Sequence, residues 1–343
     1  MRRVTTAAMI GAALLLAGCS SSSSSSSGST TDANAGGGSP VTVRLGFLSN
    51  ITHAPALVGL KEGFFTKALG SAGTLKATAF STGTEEATAI LAGQLDAAYV
   101  GPNPAITTWQ KASNIQIISG AATGGASIVV KKGISSAAQL KGKSLATPSL
   151  GNTQDVALRY WLKQNGVTTT TTGGGDAFIK PTKPNSAAVL QFKSGQIAGG
   201  SEPAPYDIQM VNDGGTVLLS EPGVTTLLIV TKSFLSAHPA VVSALLKAQV
   251  QANSFIKSNP TAAQADANAE LASYTGKPLK PDIVAASFKE ITFTNDPDAA
   301  SLKTDADQAV SLGLLKPVNL NGIYDLGPLN KVLAAAGEPQ VSS

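Results

Sequence analysis

Three short stretches of this sequence place glycine, hydroxyl and amide side chains just ahead of a helical pattern. A helix leaves its first N–H groups without intrahelical acceptors and carries the positive end of its dipole there, so it can hold an anion without arginine or lysine. The first stretch is Phe80-Ser-Thr-Gly-Thr-Glu85, where Thr82 and Glu85 have capping-box spacing and Gly83, followed by Thr84, permits close backbone approach. The second is Gly101-Pro-Asn-Pro-Ala105; Asn103 reads as the N-cap and Pro104 as the first helical residue, where a missing N–H costs nothing. In the third, Leu150-Gly-Asn-Thr-Gln-Asp155, Asn152 reads as the cap, Thr153 and Gln154 offer donors from the first turn, and Asp155 has capping-box spacing. Each stretch alone is also what any α/β protein needs to cap a helix. Their number, on both halves of the chain and free of bulky charged groups, points to anion binding. His53, in Asn50-Ile-Thr-His-Ala-Pro55, follows a strand-like run, and a structural and a ligand-contacting role are equally open for it. His238, before Pro239, reads as a plain helix lead-in.

Other chemistries find little support. With two histidines and one cysteine, a multi-histidine metal site is not expected. There is no Gly-x-Ser-x-Gly elbow. Gly142-Lys-Ser144 has Ala137 where a phosphate-binding loop needs its leading glycine. No catalytic residue, metal or cofactor is therefore expected, and a secreted hydrolase is the weaker alternative. The 25 basic and 21 acidic residues are scattered, so no nucleic-acid footprint is expected either.

The elements that must carry these stretches alternate strand and helix, an α/β signature. Strands are predicted at 41–47, 75–80, 95–100 and 115–118, with helices at 55–65, 85–92 and 104–112 between them. A second set has strands at 127–131, 144–147, 177–180, 197–200, 217–219 and 227–231, and helices at 136–140, 153–165 and 187–194. Beyond Pro239 the pattern is mainly helical, with 241–258 the longest helix. Two segments echo one another, LAGQLDAAYVGPNPAI (91–106) and FKSGQIAGGSEPAPYD (192–207). Each runs helix, Gly-Gln turn, strand, then a proline-rich lead-in, which suggests two similar halves facing each other across a cleft.

The N-terminus reads differently. Arg2 and Arg3 precede an apolar run too short to span a bilayer, the order of a secretory signal peptide over residues 1–18. Leu16-Ala17-Gly18-Cys19 resembles the lipobox of bacterial lipoproteins, which implies that Cys19, the sole cysteine, carries a lipid anchor. Residues 19–40 then form a Ser/Gly/Thr tether with no apolar periodicity.

Several body segments resemble the ABC-importer binding proteins for aliphatic sulfonates and taurine and their nitrate-binding relatives. They are LGFLSNITHAPALVGLKEGFF (45–65), LDAAYVGPNPAI (95–106), LKGKSLATPSLGNTQDVALRYWLKQNG (140–166), TFTNDP (292–297) and GIYDLGPLN (322–330). The resemblance implies a two-lobed periplasmic-binding-protein fold of type II, with two crossovers and a helical C-terminal region. Lobe I would comprise 41–125 and 236–337, lobe II 126–235, and the tail 338–343. It implies a monomer, tethered outside the cell by its lipid only, that closes on a small anion of the sulfonate class and delivers it to an ABC permease. Asn50, Thr52, His53, Thr82, Gly83, Thr84, Gly101 and Asn103 would face the cleft from lobe I, and Asn152, Thr153 and Gln154 from lobe II.

One stretch departs from the family pattern. Where members carry tryptophans around a Pro-Glu-Pro-Trp run, this chain has Ser201 and Tyr206, with Ala204 at the glutamate position and Glu202 newly placed two residues earlier. A carboxylate there would repel an anion unless it met an ammonium, as in taurine, or oriented a donor, so Glu202 joins the candidate site. Nitrate, or a planar vitamin precursor such as a pyrimidine or flavin, are the alternative cargoes. Stacking such rings would fall to Tyr99, Trp109 and Tyr206, in a chain with only 5% aromatic residues.

Overall fold

Strand β1 (Val41–Leu48) forms where the sequence alternates, and it buries Val43, Leu45 and Phe47 completely. The computed structural model describes residues 40–343. The signal peptide, Cys19 and the tether up to residue 39 lie outside the described residues.

After β1 come α1 (Ala54–Lys61), α2 (Phe64–Leu69), β2 (Gly73–Phe80), α3 (Gly83–Leu91), β3 (Ala97–Val100), α4 (Pro102–Ala112) and β4 (Ile115–Gly124). The single helix expected over 55–65 is two, because Gly63 adopts a left-handed φ of 68° between α1 and α2. The next elements are β5 (Ala126–Lys131), β6 (Ser144–Thr147), α5 (Thr153–Gln164), β7 (Phe178–Pro181), α6 (Ser186–Ser194), β8 (Gly199–Pro203), α7 (Tyr206–Asn212) and β9 (Gly215–Ser220). The chain ends with β10 (Val224–Thr231), α8 (Lys232–Ala237), α9 (Pro239–Ser258), α10 (Pro260–Thr275), α11 (Pro281–Lys289), β11 (Ile291–Phe293), α12 (Ala299–Ser311) and α13 (Gly327–Ala336).

The strands form two sheets, ordered β11-β4-β10-β3-β1-β2 and β7-β6-β8-β5-β9. Their wiring matches. In the larger sheet β1 runs parallel to β2 and β3, and antiparallel β10 follows; in the smaller, β6 runs parallel to β7 and β8, and antiparallel β5 follows. The two echoing sequence segments fall on equivalent places, β3 into α4 and β8 into α7. The chain leaves the larger sheet through Gly124 and Gly125, both at positive φ, and returns through residues 221–223. Strand β10, grouped with the second set by its sequence, therefore belongs to the larger sheet, where its apolar run is buried between β3 and β4. This corrects the expected return near residue 235. The two crossings lie side by side, Gly124 N donating to Gly223 O at 2.9 Å.

Each sheet is covered by helices on both faces. α1, α2, α9, α10 and α13 bury one side of the larger sheet, and α4 and α12 the other. α5 covers one side of the smaller sheet, α6 and α7 the other. Among the described residues no helix is long and apolar enough to cross a membrane.

Candidate functional site

Where the two sheets face each other, five helix starts converge. Asn50, Thr52 and His53 lie at the start of α1, Thr82 and Gly83 at α3, and Gly101 at α4; Asn152, Thr153 and Gln154 at α5 and Asn185 at α6 face them. Together they line one cavity whose volume, about 20 Å³, is close to the minimum for a single water-sized group. Its lining residues include no Asp, Glu, Lys or Arg. With no charged side chain on its wall, its electrostatics are set by the helix starts and their dipoles.

Local sequence explains how these groups are held. Thr82 caps α3, its Oγ1 accepting from Glu85 N at 3.3 Å. Asn152 caps α5, its Oδ1 accepting from Asp155 N at 2.9 Å while its Nδ2 donates to Gln154 Oε1 at 3.0 Å. Gly151 sits at φ 77° and donates its N–H to Asp155 Oδ2 at 2.7 Å, which bends the loop into the helix. Thr52 Oγ1 donates to Asn50 Oδ1 at 2.7 Å.

His53 is fully buried, and burial pulls its pKa down to about 3. It stays neutral, with Nδ1 accepting from Leu48 N at 3.2 Å, which leaves Nε2 to carry the proton. Because the folded value lies below the unfolded one, stability from this histidine is present above pH 6.5 and is lost as the pH falls toward 3.

Three expected site residues lie elsewhere. Asn103 is not the N-cap: α4 already starts at Pro102, so Gly101 caps it, and Asn103 turns its Nδ2 to Asp305 O at 3.3 Å. Asn103 and Thr84 line a neighbouring cavity instead, and Thr84 Oγ1 donates to Ser149 Oγ at 3.1 Å across the gap between the two halves. Glu202 is fully buried on β8 and does not line the cleft; neither carboxylate oxygen has a hydrogen-bond partner. Burial, with Asp207 and Glu221 nearby, raises its pKa well above the usual carboxylate range. The aromatic candidates are also away from the cleft cavity: Tyr99 OH donates to Gln249, Trp109 Nε1 to Asn319 O and Tyr206 OH to Ser49 O.

Asn185 and Thr225 line the cavity without having been singled out from the sequence. Asn185 precedes α6 after a proline and could have been read as another helix start; Thr225 lies on β10 just past the return crossing, which only the sheet topology brings here.

In that crossing, Glu221 is 9% exposed, and burial pushes its pKa up to about 7. A carboxyl whose folded pKa is raised destabilises the fold as pH climbs past its unfolded value near 4.5, fully so above 7. Glu221→Gln is expected to raise stability at pH 8 by up to about 3 kcal/mol and to change little at pH 4, in urea unfolding at the two pH values.

The two halves touch on both sides of the cleft. Tyr206 OH donates to Ser49 O at 3.1 Å, Lys163 Nζ to Ser311 O at 2.6 Å, and Lys183 pairs with Glu85.

Residues 36–273 match the model of the NMT1-like family. No curated protein matches the sequence. Solved structures with the same fold include the alkanesulfonate-binding protein SsuA from Xanthomonas axonopodis pv. citri bound to MOPS, with a TM-score of 0.71 and 16% identity, covering 84% of this chain and 99% of that one. The periplasmic nitrate-binding protein NrtA from Synechocystis has a TM-score of 0.73 at 16% identity, covering 88% and 90%. The periplasmic aliphatic sulphonate-binding protein SsuA from Escherichia coli has 0.63 at 18%, covering 81% and 95%. At these identities the likeness establishes the periplasmic-binding-protein fold.

Proposed function

The chain belongs to the NMT1-like family, and from that premise we propose that it is an extracytoplasmic solute-binding protein of an ABC importer, closing on a small anion of the sulfonate class. One observation carries this reading: helix starts from both halves converge on a cavity lined by no acidic or basic side chain apart from a neutral histidine. Such a cavity attracts negative charge and has no carboxylate to repel it. It also has no cysteine, aspartate or glutamate, which supports binding over hydrolysis. The absence of an aromatic ring from its lining argues against a stacked pyrimidine or flavin.

In this reading the two sheets are the cores of two lobes hinged at residues 124–125 and 221–223. A guest that touches both lobes only when they meet favours closure by that difference in affinity. The closed form is what the permease engages. Cys19 anchors the monomer by its lipid to the outer face of the cytoplasmic membrane, and the tether lets the body reach its partner. The narrowness of the cavity favours a second, smaller guest, nitrate, whose planar oxygens suit several amide donors at once.

Titration calorimetry with taurine, ethanesulfonate and nitrate tests the reading. At least one should bind below about millimolar, and affinity weaker than that for all three would overturn it. Asn152→Ala should weaken the binding by about 1–3 kcal/mol, the cost of an unmade buried hydrogen bond. Asn103→Ala should leave the affinity unchanged, because that amide is turned toward Asp305.

A further inference from the structure

A second, larger cavity of about 610 Å³ opens beside the return crossing, walled by α5, residues 221–225 and α12. Three carboxylates line it, Glu221, Asp298 and Asp305, and no lysine, arginine or histidine does. Glu221 is nine-tenths buried, and Ser201 Oγ donates to its Oε1 at 2.5 Å. Asp305 Oδ2 is buried and has no hydrogen-bond partner. Behind Glu221, Glu202 and Asp207 add further buried acid groups, which burial holds toward their neutral forms, and no basic side chain among the lining residues meets the Glu221 carboxylate. Burying a carboxylate in that company is costly unless a countercharge arrives.

The rest of the wall says what kind of countercharge fits. Among the described residues no group of three or more His, Cys, Asp or Glu side chains could hold a metal ion. The volume is that of an organic ligand rather than a bare ion, and the rings of Tyr160 and Trp161 with the side chains of Leu219 and Val224 give it an apolar side. An alkyl ammonium matches both parts, its charge toward the carboxylates and its carbon body toward the rings.

We propose that this cavity is a second binding site, for a small organic ammonium cation, distinct from the anion cleft and meeting it only at Thr153 and Thr225. A cation seated there touches α5 of the smaller sheet and α12 of the larger, so it also favours the arrangement in which they are together. The site does not depend on which anion the cleft takes.

The test is calorimetric titration of the full chain with propylammonium, tetramethylammonium and putrescine at pH about 8.5, where Glu221 is ionised. One-to-one binding below about millimolar is expected for at least one of them. It should be accompanied by a shift in Trp161 emission, read in a Trp109→Phe background. Glu221→Gln and Asp305→Asn should each weaken it at least about tenfold while the urea midpoint is kept or raised, since removing a buried acid does not cost the fold. Failure of all three cations to bind, or unchanged affinity when Glu221→Gln and Asp305→Asn are combined, would overturn the site. So would binding confined to amines that also carry a sulfonate, because the cavity would then be an arm of the anion cleft. Anion titrations are read separately, so either outcome leaves the cleft's own test intact.

Discussion

Asp155→Ala is expected to lower the free energy of unfolding by about 3–5 kcal/mol, the cost of leaving one partner of a buried ion pair alone. Asp155 and Arg159 are 0% and 1% exposed, and they meet through Arg159 Nε and Asp155 Oδ1 at 2.8 Å. The same carboxylate accepts from Thr147 Oγ1 at 3.3 Å and from Gly151 N at 2.7 Å, so it ties the end of β6, the turn before α5 and the helix itself together. Arg159 in turn donates to Thr170 O at 2.5 Å. Without Asp155 the guanidinium stays buried with no countercharge, and the Gly151–Asn152 turn loses the group that folds it into the cleft. Urea unfolding measures the first loss and anion titration the second. The double change Asp155→Leu with Arg159→Met separates them: an apolar pair of similar volume should recover most of the stability but not the anion affinity. If Asp155→Ala unfolds at the wild-type urea concentration, the pair is not a structural support.

Gly101→Val is expected to weaken anion binding at least about tenfold, or 1.4 kcal/mol, with little effect on folding. Gly101 has φ −68° and ψ 157°, a backbone that valine adopts easily, so the substitution brings no local strain. The obstacle is across the cleft: a Cβ at Gly101 would stand 2.6 Å from Thr153 Oγ1, on the first turn of α5. The side chain is accommodated only if the two halves stay apart. Small-angle scattering in the presence of the anion should show a more extended particle than the wild type, and Gly101→Val in a Thr153→Ala background should recover part of the closure. Wild-type affinity in Gly101→Val would show that contact between α4 and α5 is not needed to hold the guest.

The parts of this molecule legible in the sequence are those set by local chemistry. Thr82 and Asn152 cap their helices as their spacing to Glu85 and Asp155 indicates, because a cap needs only residues three apart. The duplicated strand-helix pattern is visible for the same reason, and the resemblance drawn from GPNPAI and GNTQD leads to the fold that the structure has. Asn103 shows where such reading stops. Pro102 and Pro104 are both acceptable first helical residues, and only the packing of α4 against Asp305 decides between them. Thr225 reaches the cleft because β10 inserts between β3 and β4, a pairing across more than a hundred residues that no local pattern encodes. The buried acids were invisible for a related reason. Glu86, pressed against Gly46 with both oxygens unpartnered, looks in sequence like any exposed residue on a helix surface. Glu202 reads as a cleft residue from its neighbours, and only the sheet shows that it is interred beside Asp207.

A cleft proposed to hold its guest with amides and hydroxyls has a consequence for unloading. His53, the one titratable lining residue, gains its proton only near pH 3, so within the ordinary range acid does not change the charge of the lining itself. On the proposed reading, the guest leaves when the two halves part and not when a lining side chain takes up a proton.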